Sequence, residues 1–278
     1  MDQSVTDVDL ILARKPGDIR IHDEAGFEGM RKAGRLVAEC LDMLVPEVEP
    51  GVTTAYLDDL IIQFIMDNNA LPATLGYRGY RYASCISLNH VICHGMPSDK
   101  VLKDGDILNI DVTLILDGWH GDHSRMYAAG TPRRKAERLM DVTYDAMMAG
   151  IEAVKPGARL GDIGGAISAI ARKNRLSVVE DFCGHGLGQL FHDEPNVVHS
   201  AAAGSGPELK PGMFFTIEPM LNIGRKNAAI LSDGWTAVTR DRQLSAQFEH
   251  SVGVTEGGVE IFTKSPAGFD MPYKAQSD

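Results

Sequence analysis

Two aspartates, Asp111 and Asp122, lie within LNIDVTLILDGWHGDHSRMYAAG, residues 108–130. Paired carboxylates either move protons or hold cations, and both uses require the two groups to converge. Convergence depends on register. Leu108, Ile110, Val112, Leu114 and Leu116 alternate with Asn109, Asp111, Thr113 and Asp117, the period of a strand with one buried face. Asp117-Gly118 favours a two-residue type I′ turn. That turn sets Leu116 opposite Trp119, Asp111 opposite Ser124 and Asp122 opposite Thr113. The aspartates then share a face as diagonal neighbours, with Cβ atoms about 7–8 Å apart. Carboxylates aimed at one point repel each other unless something positive lies between them. Antiparallel sheets commonly wet one face, so the hairpin alone leaves a plain solvated surface open.

Further candidate ligands follow in the second half of the chain. Glu218 ends a β-rich run in TIEPM, where Pro219 stops regular pairing. Glu249 alternates with Phe248 and His250 in SAQFEHSVGVT, and His185 stands in CGHGLG, where glycines let the backbone crowd a site. Taken singly, a strand glutamate is usually solvated and a lone histidine usually structural. Together, two Asp, two Glu and one His suit a pair of divalent ions such as Mn²⁺, Fe²⁺, Co²⁺ or Zn²⁺. Ions about 3.5–4 Å apart need bridging carboxylates, which the diagonal aspartates can supply.

The elements that must position these groups come from an internal duplication. KDGDILNID (103–111) and KPGMFFTIE (210–218) share Lys, Gly, Ile and a terminal acid at equal spacing. CHGMP and FHDEP each carry His-x-x-Pro, and VEPGVTTAYLDDLI (48–61) parallels VKPGARLGDIGGAI (154–167). An amphipathic helix precedes each Val-x-Pro-Gly. The order helix, turn, helix, loop, strands thus occurs twice, which predicts an α+β fold with pseudo-twofold halves, antiparallel strands in a shared central sheet and helices covering it. The expected boundaries are a short extension over 1–22, one catalytic domain over 23–265 with halves of about 23–130 and 135–265, and a tail over 266–278.

Composition limits the partners. The chain has 278 residues, 44% hydrophobic and 23% charged, with a net charge of −11, which argues against DNA as a direct partner. Cys40, Cys85, Cys93 and Cys183 form no Cys-x-x-Cys pair. The N-terminus does not read as a signal peptide, and no apolar run reaches the roughly 18 residues of a membrane span. A cytoplasmic protein with reduced thiols is expected.

The segments NIDVTLILDGWHGDHSRM, FCGHGLGQLFHDEPNVVH, FFTIEPM and DGWTAVTRDRQLSAQFEH resemble, in order, the motifs of type I methionine aminopeptidases; the likeness runs from about Ile19 to Lys264. It implies the pita-bread fold and removal of initiator methionine from nascent polypeptides when the second residue is small. Asp111, Asp122, His185, Glu218 and Glu249 fall on the family's dinuclear metal ligands. His94 and His192 fall on its two substrate-binding, reaction-stabilising histidines, with Glu218 as proton carrier. Tyr77, Tyr80, Cys85, Phe191 and Trp235 would shape the methionine pocket. Asn89, Val91 and Ser245 match a structural monovalent-cation site built from backbone oxygens. The chain departs from the family pattern at Thr74, His123 and Asp193, and lacks the zinc-finger extension of some relatives. A monomer is expected; Arg225, Lys226, Arg240 and Arg242 on a predicted hairpin form a basic cluster that is either a surface for transient ribosome association or, as such charges usually are, a solvated face. The rivals are an Xaa-Pro peptidase of the same fold, which typically carries a large extra N-terminal domain, and a non-catalytic binding protein that has lost its ligands.

Overall fold

The computed structural model describes residues 17–274; residues 1–16 of the expected extension and 275–278 of the tail lie outside it. Among the described residues, four long helices occur in two pairs, Glu24–Met43 with Thr54–Asp67 and Arg134–Glu152 with Leu160–Lys173. Local chemistry starts both helices of the first pair. Asp23 accepts from the Gly26 N–H and Thr53 from the Tyr56 N–H, satisfying donors that have no partner inside the helix. The second and fourth helices end alike, in Asn68 and Asn174, each followed by a residue of positive φ, Asn69 and Arg175.

The duplication is visible bond by bond. Thr53 bridges to Val101 before the second helix, and Arg159 to Glu208 before the fourth. The Gly51 N–H donates to the Leu102 carbonyl and the Gly157 N–H to Leu209; the returning bonds are Leu102 to Val52 and Leu209 to Ala158. Gly51 and Gly157 both have positive φ, the conformation the Pro-Gly turns need. Each half has its own apolar core. The first gathers Val37, Leu41, Leu57, Ile61, Ile110 and Val112; the second gathers Met140, Met147, Ile163, Phe215, Ile217 and Val252.

Among the described residues all strand pairing is antiparallel, in four small sheets. The long hairpin, Asp106–Leu116 with Trp119–Ala129, has the expected register: Asp111 faces Ser124, Thr113 faces Asp122 and Leu116 faces Trp119. Asp117 and Gly118 have φ of 51° and 81°, the signs a type I′ turn requires. The expectation of one buried face needs correction, because Asn109 and Thr113 on the polar face are also buried. That face packs against the second half, where Asn109 Nδ2 donates to the Gln247 carbonyl. The shared sheet is likewise broken at its centre, where the single bridge Ser124–Glu249 joins the hairpin to the second half. The tail also packs: the Tyr273 hydroxyl donates to Asp141 and its ring lies 6.1 Å from that of Phe248. Among the described residues no helix is long and apolar enough to cross a membrane.

Candidate metal centre and substrate pocket

The break in the sheet is where the acids meet. Ile217 pairs with His250 and Met220 with Gln247, so the same register sets Glu218 opposite Glu249. Neither pairs with the other. Pro219 has no N–H to give, and the ladder stops for two residues on each side. The freed backbone groups find other partners: the Glu249 N–H donates to the Ser124 carbonyl, 3.1 Å, and the Glu218 N–H to His199 Nε2, 3.1 Å. Glu249 therefore sits in a gap between strands, where its alternation with Phe248 and His250 pointed to a continuous strand.

Asp122, His185 and Glu249 present ligand atoms all within 4.8 Å of one another. His185 Nε2 lies 3.4 Å from Asp122 Oδ2 and 3.8 Å from Glu218 Oε1. Asp111, at its paired position beside Cys85, lines the same cavity of about 600 Å³. All five predicted ligands are thus brought together. Glu218 is aimed by two side chains: Thr216 Oγ1 donates to its Oε1, 2.7 Å, and Gln247 Nε2 to its Oε2, 3.3 Å. Thr216 also accepts from the His185 N–H, 3.0 Å, tying two ligands to one hydroxyl.

Four carboxylates around one imidazole are electrostatically crowded. Burial and the charges of Asp122 and Glu218 hold Asp111 well above the usual carboxylate range, and Glu249 is raised for the same reasons. Burial pushes Glu218 up to about 7, against the pull of His185. Burial opposes charge on His185, yet its hydrogen bond to Asp122 and the charges of Glu218 and Asp122 raise it to about 9. Every one of these groups is seeking positive charge. Divalent cations relieve that repulsion, and the oxygen-rich donor set with one nitrogen fits them.

One side of the cavity is a wall of rings, and Arg78, Asp181, Asp193 and Glu194 add charge elsewhere in its lining. Tyr77 lies 5.0 Å from Phe191 and 5.2 Å from His192, and Tyr80 lies 5.0 Å from Trp235. Cys85 and Thr74 complete this side. His94 holds positive φ and meets Phe182 and Trp235 edge-on at 5.4 and 6.1 Å. Burial lowers its pKa. His192, at the exposed mouth, has its ring 4.2 Å from that of His185; its burial on the inner side and the His185 charge lower its pKa. Both rings are therefore neutral hydrogen-bond donors near pH 7.

Of the departures from the family pattern, Thr74 and Asp193 line the cavity, with Thr74 Oγ1 donating to the Tyr82 carbonyl. His123 points away from the cavity, as its register requires. At the monovalent-cation candidates, the Ser245 N–H donates to the Asn89 carbonyl, 2.9 Å, and Val91 pairs with Val238. Ser245 Oγ and Asn222 Oδ1 are buried without hydrogen-bond partners on directly paired residues, and such orphaned oxygens suit a cation.

Several lining or supporting residues escaped the sequence reading: Thr216, His199, Gln247, Asn222, Phe182, Cys93 and Met220. A signal was present for two. Thr216 stands two residues before Glu218, on the same strand face, and His199 closes the His-rich segment FHDEPNVVH. The others also stand near predicted site residues, Cys93 beside His94, Phe182 in FCGHGLG, Met220 in TIEPM and Gln247 two before Glu249, but their types carry no mark of the site.

With this geometry in hand, the comparisons are consistent. The family description "Metallopeptidase family M24" matches residues 28–256. A methionine aminopeptidase of Rickettsia prowazekii is 56% identical over 255 residues, 91% of this chain and 98% of its own. Its crystal structure superposes with a TM-score of 0.88, covering 89% of this chain and all of its own. That of Thermotoga maritima, 37% identical, gives 0.87 over 89% of this chain and all of its own. A prolidase of Pyrococcus furiosus, 21% identical with a TM-score of 0.71 over 92% of this chain and 68% of its own, shares the fold alone. The expected pita-bread architecture is therefore the observed one, and the chain belongs to the methionine aminopeptidases of metallopeptidase family M24.

Proposed function

We propose that this enzyme, a metal-dependent aminopeptidase that removes N-terminal methionine, works with two divalent ions held by Asp111, Asp122, His185, Glu218 and Glu249, and acts when the second residue is small. The observation that carries this reading is the meeting of all five residues in one cavity that also gathers Tyr77, Tyr80, Phe182, Phe191 and Trp235. Bound divalent ions supply acidified water and polarisation of the scissile carbonyl. Glu218, with both oxygens aimed by Thr216 and Gln247, takes the water's proton and returns it to the leaving amine. Neutral His192 donates to the developing oxyanion, and neutral His94 donates to the substrate backbone. Tyr77, Tyr80, Cys85, Phe191 and Trp235 enclose the methionine side chain, whose sulfur packs well on aromatic edges. A monovalent cation on the Asn89 and Val91 carbonyls and Ser245 would brace the loop beside this wall.

Selectivity follows from crowding. With the methionine side chain in the aromatic wall, the next residue must fit beside His94 and the carboxylates. A bulky one displaces the scissile carbonyl, and about 1 Å of misplacement costs roughly a hundredfold in rate. The substrates are then nascent N-termini beginning Met-Gly, Met-Ala or Met-Ser. Transient ribosome docking through the basic cluster would rest mainly on Arg225 and Arg242. Lys226 is already paired with Glu180, and Arg240 Nε donates to the Ala228 carbonyl.

Cleavage of Met-Ala-Ser, Met-Lys-Ser and Ala-Pro-Ala, with and without added Co²⁺ or Mn²⁺, tests the proposal. We expect metal-dependent cleavage of the first and neglect of the other two. Efficient cleavage of Met-Lys-Ser removes the small-residue rule, and preference for Ala-Pro-Ala turns the reading toward a proline-directed peptidase.

A further inference from the structure

His123 does no work in the cavity, yet it is among the most constrained side chains in the molecule. It is buried, its Nδ1 contacts the Glu249 carbonyl, and its Nε2 lies 2.9 Å from Arg125 Nε. A carbonyl can only accept and a guanidinium can only donate. The ring is therefore neutral, with its proton on Nδ1. Arg125 is fully buried, and its Nη1 pairs with Asp42 at the end of the first helix. Asp42 in turn accepts from Ser265 Oγ, 2.8 Å, so the series runs from the segment after the last strand to the metal centre.

The junction it closes is otherwise thin. One backbone bridge, Glu249 N–H to Ser124 carbonyl, joins the hairpin to the second half here. Asn109 Nδ2 adds a bond to the Gln247 carbonyl, 2.9 Å, and two side chains flank the bridge reciprocally: Ser251 Oγ donates to the Asp122 carbonyl, 2.6 Å, and His123 donates to the Glu249 carbonyl. Asp122 and Glu249 come from residues 127 positions apart and must hold one ion within a few tenths of an ångström. Without the imidazole, the Glu249 peptide keeps its N–H contact and can pivot about it, swinging the carboxylate.

We propose that His123 is a positioning residue whose Nδ1–H fixes the Glu249 peptide and so sets the Glu249 carboxylate against Asp122 for metal binding. The proposal rests on the reading of Glu249 as a metal ligand.

Two substitutions separate the functions of the ring. In His123→Asn, the amide nitrogen takes the place of Nδ1 and keeps a donor for Glu249, while Arg125 loses its acceptor. In His123→Gln, the amide oxygen takes the place of Nε2 and serves Arg125, while Glu249 loses its donor. Chelator-treated proteins are titrated with Mn²⁺ by calorimetry, and thermal midpoints are recorded separately. His123→Gln should weaken binding of the more loosely held ion by about ten- to a hundredfold, the usual effect of losing a group that orients a ligand. His123→Asn should stay within about threefold of wild type in metal affinity, with a lower thermal midpoint. Wild-type affinity in His123→Gln, or equal weakening in both variants, overturns the proposal. Glu249→Gln tests the ligand assignment by itself: unchanged metal binding there means that assignment has failed, whereas loss there with none in His123→Gln means only the role of His123 has failed. Nitrogen-15 NMR of wild-type His123 needs no variant to fold. A proton on Nδ1 is expected, and a proton on Nε2 overturns the proposal.

Discussion

In the first half Thr53 bridges to Val101 and Gly51 bonds to Leu102; in the second Arg159 bridges to Glu208 and Gly157 bonds to Leu209. The scaffolds agree down to individual hydrogen bonds, but the acids at the ends of the repeated motif do not. Asp111 lies inside an unbroken strand, paired on one side with Cys85 and on the other with Ser124. Glu218 lies where its strand has just ended, before Pro219, with its N–H borrowed by His199. A residue locked on both sides by a ladder offers a fixed point. A residue at a break, steered by Thr216 and Gln247, can face the reacting atoms. The two copies share the frame, and the broken register in one of them frees the acid to which we assign the proton transfer.

The largest expected effect breaks this difference directly. Glu218→Gln should fold normally and lose about two to four orders of magnitude in kcat, since an amide cannot carry the proton. Steady-state kinetics on Met-Ala-Ser measures this. More than about a tenth of wild-type kcat, an effect of roughly 1.4 kcal/mol or less, would mean that Glu218 is no more special than its counterpart.

Next is the face on which the two halves converge. Asp122→Asn should abolish tight binding of one metal ion, while Asp117→Asn, in the same hairpin, should leave metal content intact because Asn-Gly also forms a type I′ turn. Elemental analysis of the two purified variants decides it, and equal metal loss in both would contradict the convergence of Asp111 and Asp122.

A smaller effect sharpens the comparison through pH. The folded state holds its proton on Glu218 up to about 7, against an ordinary value of 4.5, and on His185 up to about 9, against 6.5. A folded pKa raised in this way gives a contribution that is complete below the unfolded value and lost as pH climbs through the folded one. The buried histidines with lowered values, His123, His199 and His250 among them, act in the opposite sense, but that is over by about 6.5. Metal-free protein should therefore lose stability between about pH 6.5 and 9, by a few degrees in Tm. Metal-loaded protein should be flat or rise, because cations compete with the protons. Calorimetry at several pH values checks both, and a rising Tm in metal-free protein would remove the idea that the acids at the break are crowded.

By itself the sequence determined whatever depends on near neighbours. The hairpin register followed from Asp117-Gly118 and a period of two, and the paired helices from amphipathic runs and Pro-Gly turns, because ladders and turns are decided over a few residues. The four acids and one imidazole were legible because carboxylates are chemically unusual in strands and because the duplication placed two of their strands. The tertiary structure alone decided what lies behind them. The hairpin's polar face, left open to solvent by the sequence, is buried at Asn109 and Thr113, since alternation shows that two faces differ but not what covers the second. Glu249 read as part of a continuous strand and stands in a gap, because only the packed halves reveal that its N–H goes to Ser124 and its carbonyl to His123. Those bonds span more than a hundred residues of chain, where no local pattern reaches, and they form only when two separate cores have docked.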